Sequence, residues 1–313
     1  MRVLIVCSGN SGQVSPFIAE QAQQIKKSGT EILIFSIIGK GFLGYIKNLP
    51  KLKKSIRTFR PDIIHAHSGM SGLLSGLQFK VPVVVTYHGS DVNNATLRIF
   101  TKISMLLTQK HIVVSEPMKQ ILRSKSVRVI PCGVNQEVFY PKSLEKSRHE
   151  LQWESGKIKV LFSSAFSNPV KNASLAIASI KALNEASCEL IELKNKSREE
   201  VSIMMNAADV CLMTSFSEGS PQFIKEAMSC GAPIVSTLVG DVNELLNEIE
   251  GCFICSFDVN EISDKLSKAI DFRKEIKFTK APDRIIELEL SNENVVKKVL
   301  EVYNSVISIR DEK

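Results

Sequence analysis

Residues 217–236 read SEGSPQFIKEAMSCGAPIVS and combine a polar loop, an amphipathic helix and an apolar strand. Ser220 suits a helix N-cap, and Pro221 suits the first helical position, where a missing N–H costs nothing. Gly231 and Pro233 then end the helix, and a run of β-branched residues follows. The sequence therefore predicts a helix that begins directly after a loop and leads into a buried strand.

Two carboxylates lie on either side of this turn. Glu218 precedes the helix, and Glu226 projects from it roughly two turns further on. The open N-terminus of a helix attracts anions, above all phosphate, and a carboxylate beside it can hold sugar hydroxyls next to a bound phosphate. The spacing alone leaves a second interpretation open, in which a capped helix carries two solvated acids.

Strand-like apolar runs alternate with helical patterns along the chain. The predicted strands are Val3–Cys7, Glu31–Ile38, Asp62–Ala66, Val81–Tyr87, His111–Ser115, Arg128–Pro131, Lys159–Ser163, Glu189–Leu193, Val210–Thr214, Pro233–Thr237 and Phe253–Cys255. The predicted helices are Phe17–Lys27, Leu49–Arg60, Thr96–Leu107, Leu175–Ala186, Glu199–Ala207, Pro221–Ser229, Val259–Ala269 and Asn292–Ile309. This order predicts α/β domains with parallel sheets, helices on both faces and ligand sites at the carboxyl ends of the strands.

The composition indicates where the domains divide and in which cellular compartment the protein is expected. The polar stretch Pro141–Lys157 is the predicted linker, which gives domains of residues 1–142 and 143–313, with the last helix, about 292–309, packing back on the first domain. No apolar run is long enough to span a membrane, and Met1–Cys7 has the pattern of a strand, not of a signal peptide. Seven scattered cysteines fit buried reduced thiols, so a cytoplasmic location is expected.

Polar loops follow several strands of the first half. Residues 8–14 contain glycines that let backbone N–H groups approach a phosphate or sugar, although a tight structural turn has the same pattern. His65 and His67 share one face of a strand end, and without a third ligand at a suitable spacing they favour cleft lining or hydrogen bonding over a metal site. His88 ends the next strand, and Asp91 is expected either to orient His88, to bind an acceptor or to cap the turn.

The spacing of Glu218 and Glu226 resembles the E-x7-E signature of retaining glycosyltransferases of family 4. Residues 206–215 resemble that family's preceding strand, residues 239–244 its following loop, and residues 129–141 its interdomain signature. The four stretches occur in the family's order, so the resemblance covers most of the chain. It implies the GT-B fold, in which two Rossmann-like domains have parallel sheets that face a central cleft.

The resemblance also implies roles for individual residues. Catalytic roles fall to Glu218 and His88, which contact the donor sugar, and to Lys171, which binds the diphosphate. Donor-binding roles fall to Glu226, Gly219, Ser220, Pro221 and Gly12, and acceptor-side roles fall to His67, Asp91 and Asn10. Family members usually carry an arginine five positions before the lysine, where this chain has Phe166, so one diphosphate cation is either absent or supplied elsewhere.

These residues lead to one expected function and two alternatives. The expected function is retaining transfer of a sugar from a nucleotide-diphospho-sugar to a glycan or lipid-linked acceptor, in cell-surface polysaccharide or glycoconjugate synthesis. The alternatives are a sugar-nucleotide epimerase and a non-catalytic GT-B partner protein of a glycosylation complex. Because the sequence has no Asp-x-Asp motif, helix dipoles and Lys171 are expected to stabilise the leaving diphosphate without a metal ion. Neither a further cofactor nor a nucleic-acid partner is expected.

Basic residues are concentrated in the first half, where residues 1–150 carry 21 Lys and Arg against 8 Asp and Glu. Between Phe42 and Pro61, basic and apolar residues interleave at near-helical spacing; the basic ones are Lys47, Lys51, Lys53, Lys54, Arg57 and Arg60. Such a segment can lie on an anionic bilayer, and this interpretation predicts reversible docking on the inner face of the plasma membrane. A crossover helix that packs its apolar stripe on a sheet has the same pattern.

Overall fold

The computed structural model describes residues 1–154, 156–183 and 187–311, with side chains as far as residue 308. Contacts divide the chain into two compact units. Unit 1 comprises Met1–Gly133 together with the C-terminal segment from Asn292, and unit 2 comprises Val134–Ser291. Each unit is built around one parallel sheet.

Strands and helices alternate in both units, as the sequence predicts. The strands are β1 (Arg2–Ser8), β2 (Glu31–Ile37), β3 (Ile63–His67), β4 (Val83–Tyr87), β5 (Lys110–Val113), β6 (Val127–Val129), β7 (Ile158–Phe162), β8 (Cys188–Glu192), β9 (Val210–Met213), β10 (Ile234–Thr237) and β11 (Cys252–Cys255). The helices are α1 (Pro16–Lys27), α2 (Gly41–Ile46), α3 (Leu49–Phe59), α4 (Gly69–Gly76), α5 (Ser90–Asn93), α6 (Ala95–Leu107), α7 (Glu116–Leu122), α8 (Leu144–Glu150), α9 (Ala173–Ala182), α10 (Arg198–Ala207), α11 (Gln222–Ser229), α12 (Val242–Leu246), α13 (Val259–Glu275), α14 (Ala281–Glu287) and α15 (Asn292–Asp311). The predicted helix over 175–186 corresponds to α9, and its residues 184–186 lie outside the described residues.

The sheet of unit 1 has six parallel strands in the order β2-β1-β3-β4-β5-β6. β1 lies between β2 and β3, so that Leu4 is opposite Leu33 and Ile64. The apolar run Val3–Cys7 is fully buried, because helices cover both faces of the sheet. One of those helices is α15, whose Tyr303 packs in the same buried cluster as alternate residues of β1.

The sheet of unit 2 has five parallel strands in the order β11-β10-β9-β7-β8. Alternate residues of β7 pack in different clusters, with Leu161 in one and Val160 in the other. Both faces are therefore buried, and the carboxyl ends of β7, β9 and β10 lie at one edge, where the loops that follow them meet.

The polar stretch predicted as a linker is packed structure. Residues 144–150 form α8, and Arg148 Nη2 on that helix lies 2.7 Å from Asp209 Oδ2. The backbone N–H of Lys142 donates to Asn206 Oδ1 at 2.6 Å. These polar groups find partners within unit 2, so the division between the units falls at Gly133–Val134 and not at residues 142–143. Ser155, within the same stretch, lies outside the described residues.

The apolar stripe of the basic segment packs inside unit 1. Leu52 and Ile56 of α3 are buried in the same cluster as Leu4 and Val6 of β1. The structure therefore assigns this stripe to the crossover-helix interpretation, while the three lysines and Arg57 of α3 remain exposed. Among the described residues, no helix combines the length and the apolar character needed to cross a membrane.

Candidate active site

The carboxyl edge of the unit 2 sheet brings two predicted catalytic residues together. Glu218 lies in the loop between β9 and α11, and Lys171 ends a 3-10 turn, Pro169–Lys171, that follows β7. Lys171 Nζ donates to Glu218 Oε1 at 2.7 Å, and both side chains are largely buried. Thr214 Oγ1, just after β9, donates to the Lys171 carbonyl at 3.0 Å and holds the turn in place.

The start of α11 differs from the sequence prediction. The helix begins at Gln222, and Pro221, with an extended backbone, occupies the N-cap position without a side-chain hydrogen bond. Ser220 is therefore not the N-cap. Its hydroxyl instead accepts a hydrogen bond from Lys225 Nζ at 3.1 Å, one turn into the helix. The prediction failed because a buried ammonium group competes for that hydroxyl, which sequence spacing does not show.

A buried charged pair lies beneath this loop. Lys225 is fully buried, and Asp241, in the loop after β10, is 6 % exposed. Burial raises the pKa of the Asp241 carboxyl to about 6, and the Lys225 ammonium and a hydrogen bond with Ser220 oppose the rise. The two loops are also in close contact, because a Cβ on Gly240, which has φ +59°, would come within 2.6 Å of the Gly219 carbonyl oxygen.

The second carboxylate of the pattern also pairs with a basic residue. Glu226 on α11 is 3 % exposed and accepts a hydrogen bond from Arg198 Nη2. The Arg198 guanidinium lies over the Phe139 ring, 4.6 Å from its centroid. Arg198 is a candidate site residue that the sequence analysis missed. The feature of the sequence that could have identified it is a basic residue in the first turn of the helix that follows β8, at the carboxyl edge of the sheet.

Phe166 supplies no substitute for the usual arginine. Its backbone N–H donates to Glu192 Oε2 at 2.7 Å, and its ring packs 5.5 Å from that of Phe162. The cations that the structure places around this loop are Lys171 at its surface and Lys225 beneath it.

The carboxyl edge of the unit 1 sheet holds two groups of hydrogen-bonded rings. His65 Nδ1 lies 2.6 Å from the Tyr303 hydroxyl, and His65 Nε2 lies 2.8 Å from Thr86 Oγ1. His67 Nδ1 and His88 Nε2 are 2.9 Å apart, and the two rings stack. His88 Nδ1 in turn lies 3.6 Å from the sulfur of Cys132. The structure thus brings the predicted residues His67 and His88 into direct contact.

Burial keeps two of these histidines neutral at neutral pH. Burial, helped by the charge of His88, lowers the pKa of His65 to about 3. Burial, together with the charges of His65 and His88, lowers the pKa of His67 well below its usual value. His67 therefore interacts as a neutral imidazole, and its Nε2 makes no hydrogen bond with the described residues.

Asp91 holds the backbone at His88. It is buried, and its Oδ1 accepts from the backbone N–H groups of His88 and Gly89, each at 3.0 Å. Burial raises the pKa of this carboxyl, whereas the backbone N–H donors lower it. The imidazole of His88 contacts His67 and Cys132. A role of Asp91 in orienting that side chain or in binding an acceptor stays a prediction.

A cavity of about 350 Å³ lies beside this loop in unit 1. Asn10 and Asp91 line it together with Lys40 and with apolar residues of α2 and α6. The Asn10 side chain exchanges two hydrogen bonds with the backbone of Gly39, at 2.9 and 2.8 Å. Gly12, with φ +81°, lies in the exposed turn after β1 and is not part of the cavity lining.

Within the described ranges, His, Cys, Asp and Glu side chains form no group of three or more that could hold a metal ion.

Two parallel-sheet units with polar groups at their carboxyl edges define the GT-B class of architecture, and solved structures share it. Sucrose-phosphate synthase from Thermosynechococcus elongatus superposes with a TM-score of 0.83 at 15 % identity, covering 99 % of this chain and 100 % of that one. The Anabaena protein HepE in complex with UDP-glucose gives a TM-score of 0.76 at 16 % identity, covering 97 % and 100 %.

Sequence comparisons supply the family. The model of Glycosyltransferase Family 4 matches residues 3–138, and the model of Glycosyl transferases group 1 matches residues 167–271. An uncharacterized glycosyltransferase of Methanocaldococcus jannaschii is 26 % identical, over 84 % of this chain and 81 % of that protein. The N,N'-diacetylbacillosaminyl-diphospho-undecaprenol alpha-1,3-N-acetylgalactosaminyltransferase of Campylobacter jejuni is 20 % identical, over 92 % and 89 %. The chain belongs to the glycosyltransferase family 4 and group 1 proteins and is a glycosyltransferase.

Proposed function

We propose that this chain is a retaining glycosyltransferase that moves a sugar from a nucleotide-diphospho-sugar, bound by unit 2, to a glycan or lipid-linked acceptor, bound by unit 1. The observation that carries the proposal is the Lys171–Glu218 pair beside the start of α11. A cation, a carboxylate and a helix N-terminus together provide binding groups for a diphosphate and for sugar hydroxyls.

The diphosphate would bind where positive charge is already concentrated. Lys171 would exchange Glu218 for a phosphate oxygen, and the backbone N–H groups of Gly219 and Ser220 would donate to the same group. Lys225 adds a positive charge beneath the loop, because it contacts Ser220 from the buried side. Pro221 fixes the backbone at the point where the loop enters α11. Together, the two lysines and the loop N–H groups would neutralise the diphosphate in place of the missing arginine, without a metal ion.

The two carboxylates would bind different parts of the donor. Glu218, released from Lys171, would accept hydrogen bonds from the hydroxyls of the transferred sugar. Glu226 would accept from the ribose hydroxyls while Arg198 fixes its orientation. His88, held by His67, would contact the transferred sugar, and Asn10, Asp91 and Gly12 belong to loops at the same sheet edge as His88.

Retention of the anomeric configuration would follow from attack on the same face of the sugar. The bond between the anomeric carbon and the phosphate oxygen breaks, and the acceptor oxygen forms the new bond. The acceptor proton passes to the leaving phosphate, so the step needs no protein nucleophile. Charge that develops on the phosphate is stabilised by Lys171 and by the loop N–H groups.

The named relatives support the choice of substrates. HepE was solved with UDP-glucose, and the Campylobacter relative is named for a diphospho-undecaprenol-linked substrate. We therefore place this enzyme in cell-surface polysaccharide or glycoconjugate synthesis, in the cytoplasm and on the inner face of the plasma membrane. All seven cysteines are present as thiols, which fits a reducing compartment.

The experiment is a screen of nucleotide sugars by thermal shift, followed by turnover of the stabilising donor with lipid-linked acceptors. A bound donor raises the unfolding temperature by mass action. A glycosylated product with the anomeric configuration of the donor supports the proposal. Release of an epimerised nucleotide sugar would identify an epimerase, whereas donor binding without any turnover would identify a non-catalytic partner protein.

Lys171→Ala should weaken nucleoside diphosphate binding by at least about tenfold and leave nucleoside binding nearly unchanged, because the ammonium acts on phosphate and not on the base. Isothermal titration calorimetry with UDP and uridine measures the difference. Lys268→Ala, which removes a lysine from an exposed ion pair with Asp264 on α13, is the matched control. An equal loss for both ligands, or none for either, would show that the diphosphate binds elsewhere.

A further inference from the structure

Helix α6 is packed with its apolar side outward. Its buried residues are the small polar Thr101 and Ser104, both fully buried. Three of its large apolar residues face solvent instead, with Ile99 58 %, Ile103 41 % and Leu106 85 % exposed, whereas Met105 packs partly buried against the core of unit 1. A surface helix normally buries its apolar stripe and exposes its polar one, so this arrangement is the reverse of the usual one.

Close packing against α4 fixes this orientation. A Cβ on Gly69 would come within 2.3 Å of Thr101 Oγ1, and one on Gly72 would come equally close to Ser104 Oγ. The Thr101 hydroxyl also donates to the Asp91 carbonyl at 2.7 Å. A rotation of α6 that buried its apolar residues would push large side chains into the space that these glycines leave open, so the outward face is built into the fold.

Helix α2 extends the same surface. Phe42 is 45 % exposed and Leu43 is 72 % exposed, and the Phe42 ring stacks on Phe100 of α6 with centroids 6.0 Å apart. We call this the α2–α6 surface, and its exposed apolar members are Phe42, Leu43, Leu97, Ile99, Ile103 and Leu106. A contiguous apolar patch of this kind on a protein surface marks an interaction site.

The charges around the patch indicate its partner. Exposed lysines flank it at Lys40, Lys47 and Lys102, and residues 38–47 and 95–110 contain no Asp or Glu. A second copy docked on this patch in a symmetric dimer would bring lysines against lysines without acidic partners. An anionic lipid surface offers both apolar chains and negative headgroups. We infer that the α2–α6 surface binds an anionic phospholipid bilayer.

The cavity of unit 1 connects this surface with the acceptor, an inference that rests on the proposed function. Phe42, Leu97 and Phe100 line the same cavity as Asn10 and Asp91. The lipid of an amphiphilic acceptor would lie along the apolar rim of the cavity while its polar head reaches the carboxyl edge of the sheet. The surface thus favours a lipid-linked acceptor over a soluble glycan.

The test is cosedimentation of the full chain with phosphatidylcholine vesicles, with and without phosphatidylglycerol. The wild-type chain should bind only the anionic vesicles, and less as salt rises. The combined substitutions Leu43→Gln, Ile99→Gln and Leu106→Gln should lower the partition coefficient by about tenfold or more. Ile276→Gln with Ile286→Gln, which alters equally exposed apolar residues of unit 2, should leave it unchanged.

A second pair of variants tests the charge. Lys47→Gln with Lys102→Gln should weaken vesicle binding more than Lys51→Gln with Lys54→Gln, which removes two exposed lysines from α3. UDP affinity, measured on every variant, shows that unit 2 is intact and separates this inference from the proposed function. The inference would be overturned by full vesicle binding of the triple apolar variant or by equal effects of the two lysine pairs. It would also be overturned if the wild-type chain formed a dimer instead of binding vesicles and the triple variant dissociated that dimer.

Discussion

Glu218→Gln should lower kcat/KM for sugar transfer by about 100- to 1,000-fold, the cost of losing one preorganised electrostatic contact in the transition state. The carboxylate is 2.7 Å from Lys171 and lies in the loop beside the α11 N-terminus. The amide keeps the shape of the side chain but cannot accept sugar hydroxyls with a full negative charge. The unfolding free energy should change by only about 1 kcal/mol, because the pair keeps some solvent contact and the amide oxygen can still accept a hydrogen bond from Lys171.

Steady-state kinetics with the donor found by the screen measures this effect, with chemical denaturation as the check on folding. Glu189→Gln is the matched control, because it breaks another Lys–Glu pair of unit 2, Lys159–Glu189 at 2.6 Å, near the amino end of β8. That control should retain turnover. Wild-type activity in Glu218→Gln would remove this carboxylate from the mechanism.

Acid should destabilise unit 1 well before it destabilises unit 2. The buried His65 and His111 have pKa values lowered by burial to about 3 and about 4, and that of His67 is also lowered. An unfolded histidine takes up a proton below about 6.5, whereas these stay neutral in the fold. Their stabilisation is therefore complete above pH 6.5 and is lost as the pH falls, by about 2 kcal/mol each for His65 and His111 at pH 5.

The carboxyls act with the opposite sign. Asp241 of unit 2, with its pKa raised to about 6, takes up a proton in the folded state first, so its contribution to stability increases as the pH falls from about 6 towards 4. Burial raises the pKa of Asp91 in unit 1 as well, which offsets part of the loss from three histidines. The two units should therefore diverge in stability between pH 7 and pH 5.

Hydrogen exchange read by mass spectrometry resolves this difference, because peptides from β1, β3 and β4 report on unit 1 and peptides from β7, β9 and β10 report on unit 2. His111→Gln should recover about 2 kcal/mol of the acid-induced loss in unit 1. His149→Gln, which replaces the exposed histidine of unit 2, should recover none. Equal protection of the two units at pH 7 and pH 5 would contradict the expectation.

Several features of the site could be predicted from sequence because they depend on local pattern. Alternating strands and helices fixed the parallel sheets, and polar residues at strand ends placed Glu218, Lys171 and His88 at carboxyl edges. Their partners were harder to predict. Arg198 pairs with Glu226 across 28 positions of sequence, and Cys132 meets His88 across 44, so no spacing rule connects them.

The N-cap of α11 shows the limit within a single motif. Ser220 has the right residue type and position for a cap, but Lys225 and Asp241 engage its hydroxyl, and Asp241 comes from the loop after another strand. The local preference of Ser220 for the N-cap is overridden, because leaving the buried Lys225 ammonium without a hydrogen-bond acceptor costs more than leaving the helix without a side-chain cap.

Two amphipathic helices of unit 1 show which properties the sequence determines and which the tertiary structure determines. The sequence by itself determined that α3 has an apolar stripe and that α6 is rich in large apolar residues, because side-chain periodicity follows from the helix repeat. Only the tertiary structure decided that Leu52 is fully buried while Leu106 is 85 % exposed. The physical reason is that burial depends on what packs against a helix: the sheet covers the stripe of α3, whereas the glycines of α4 accept only the small polar face of α6.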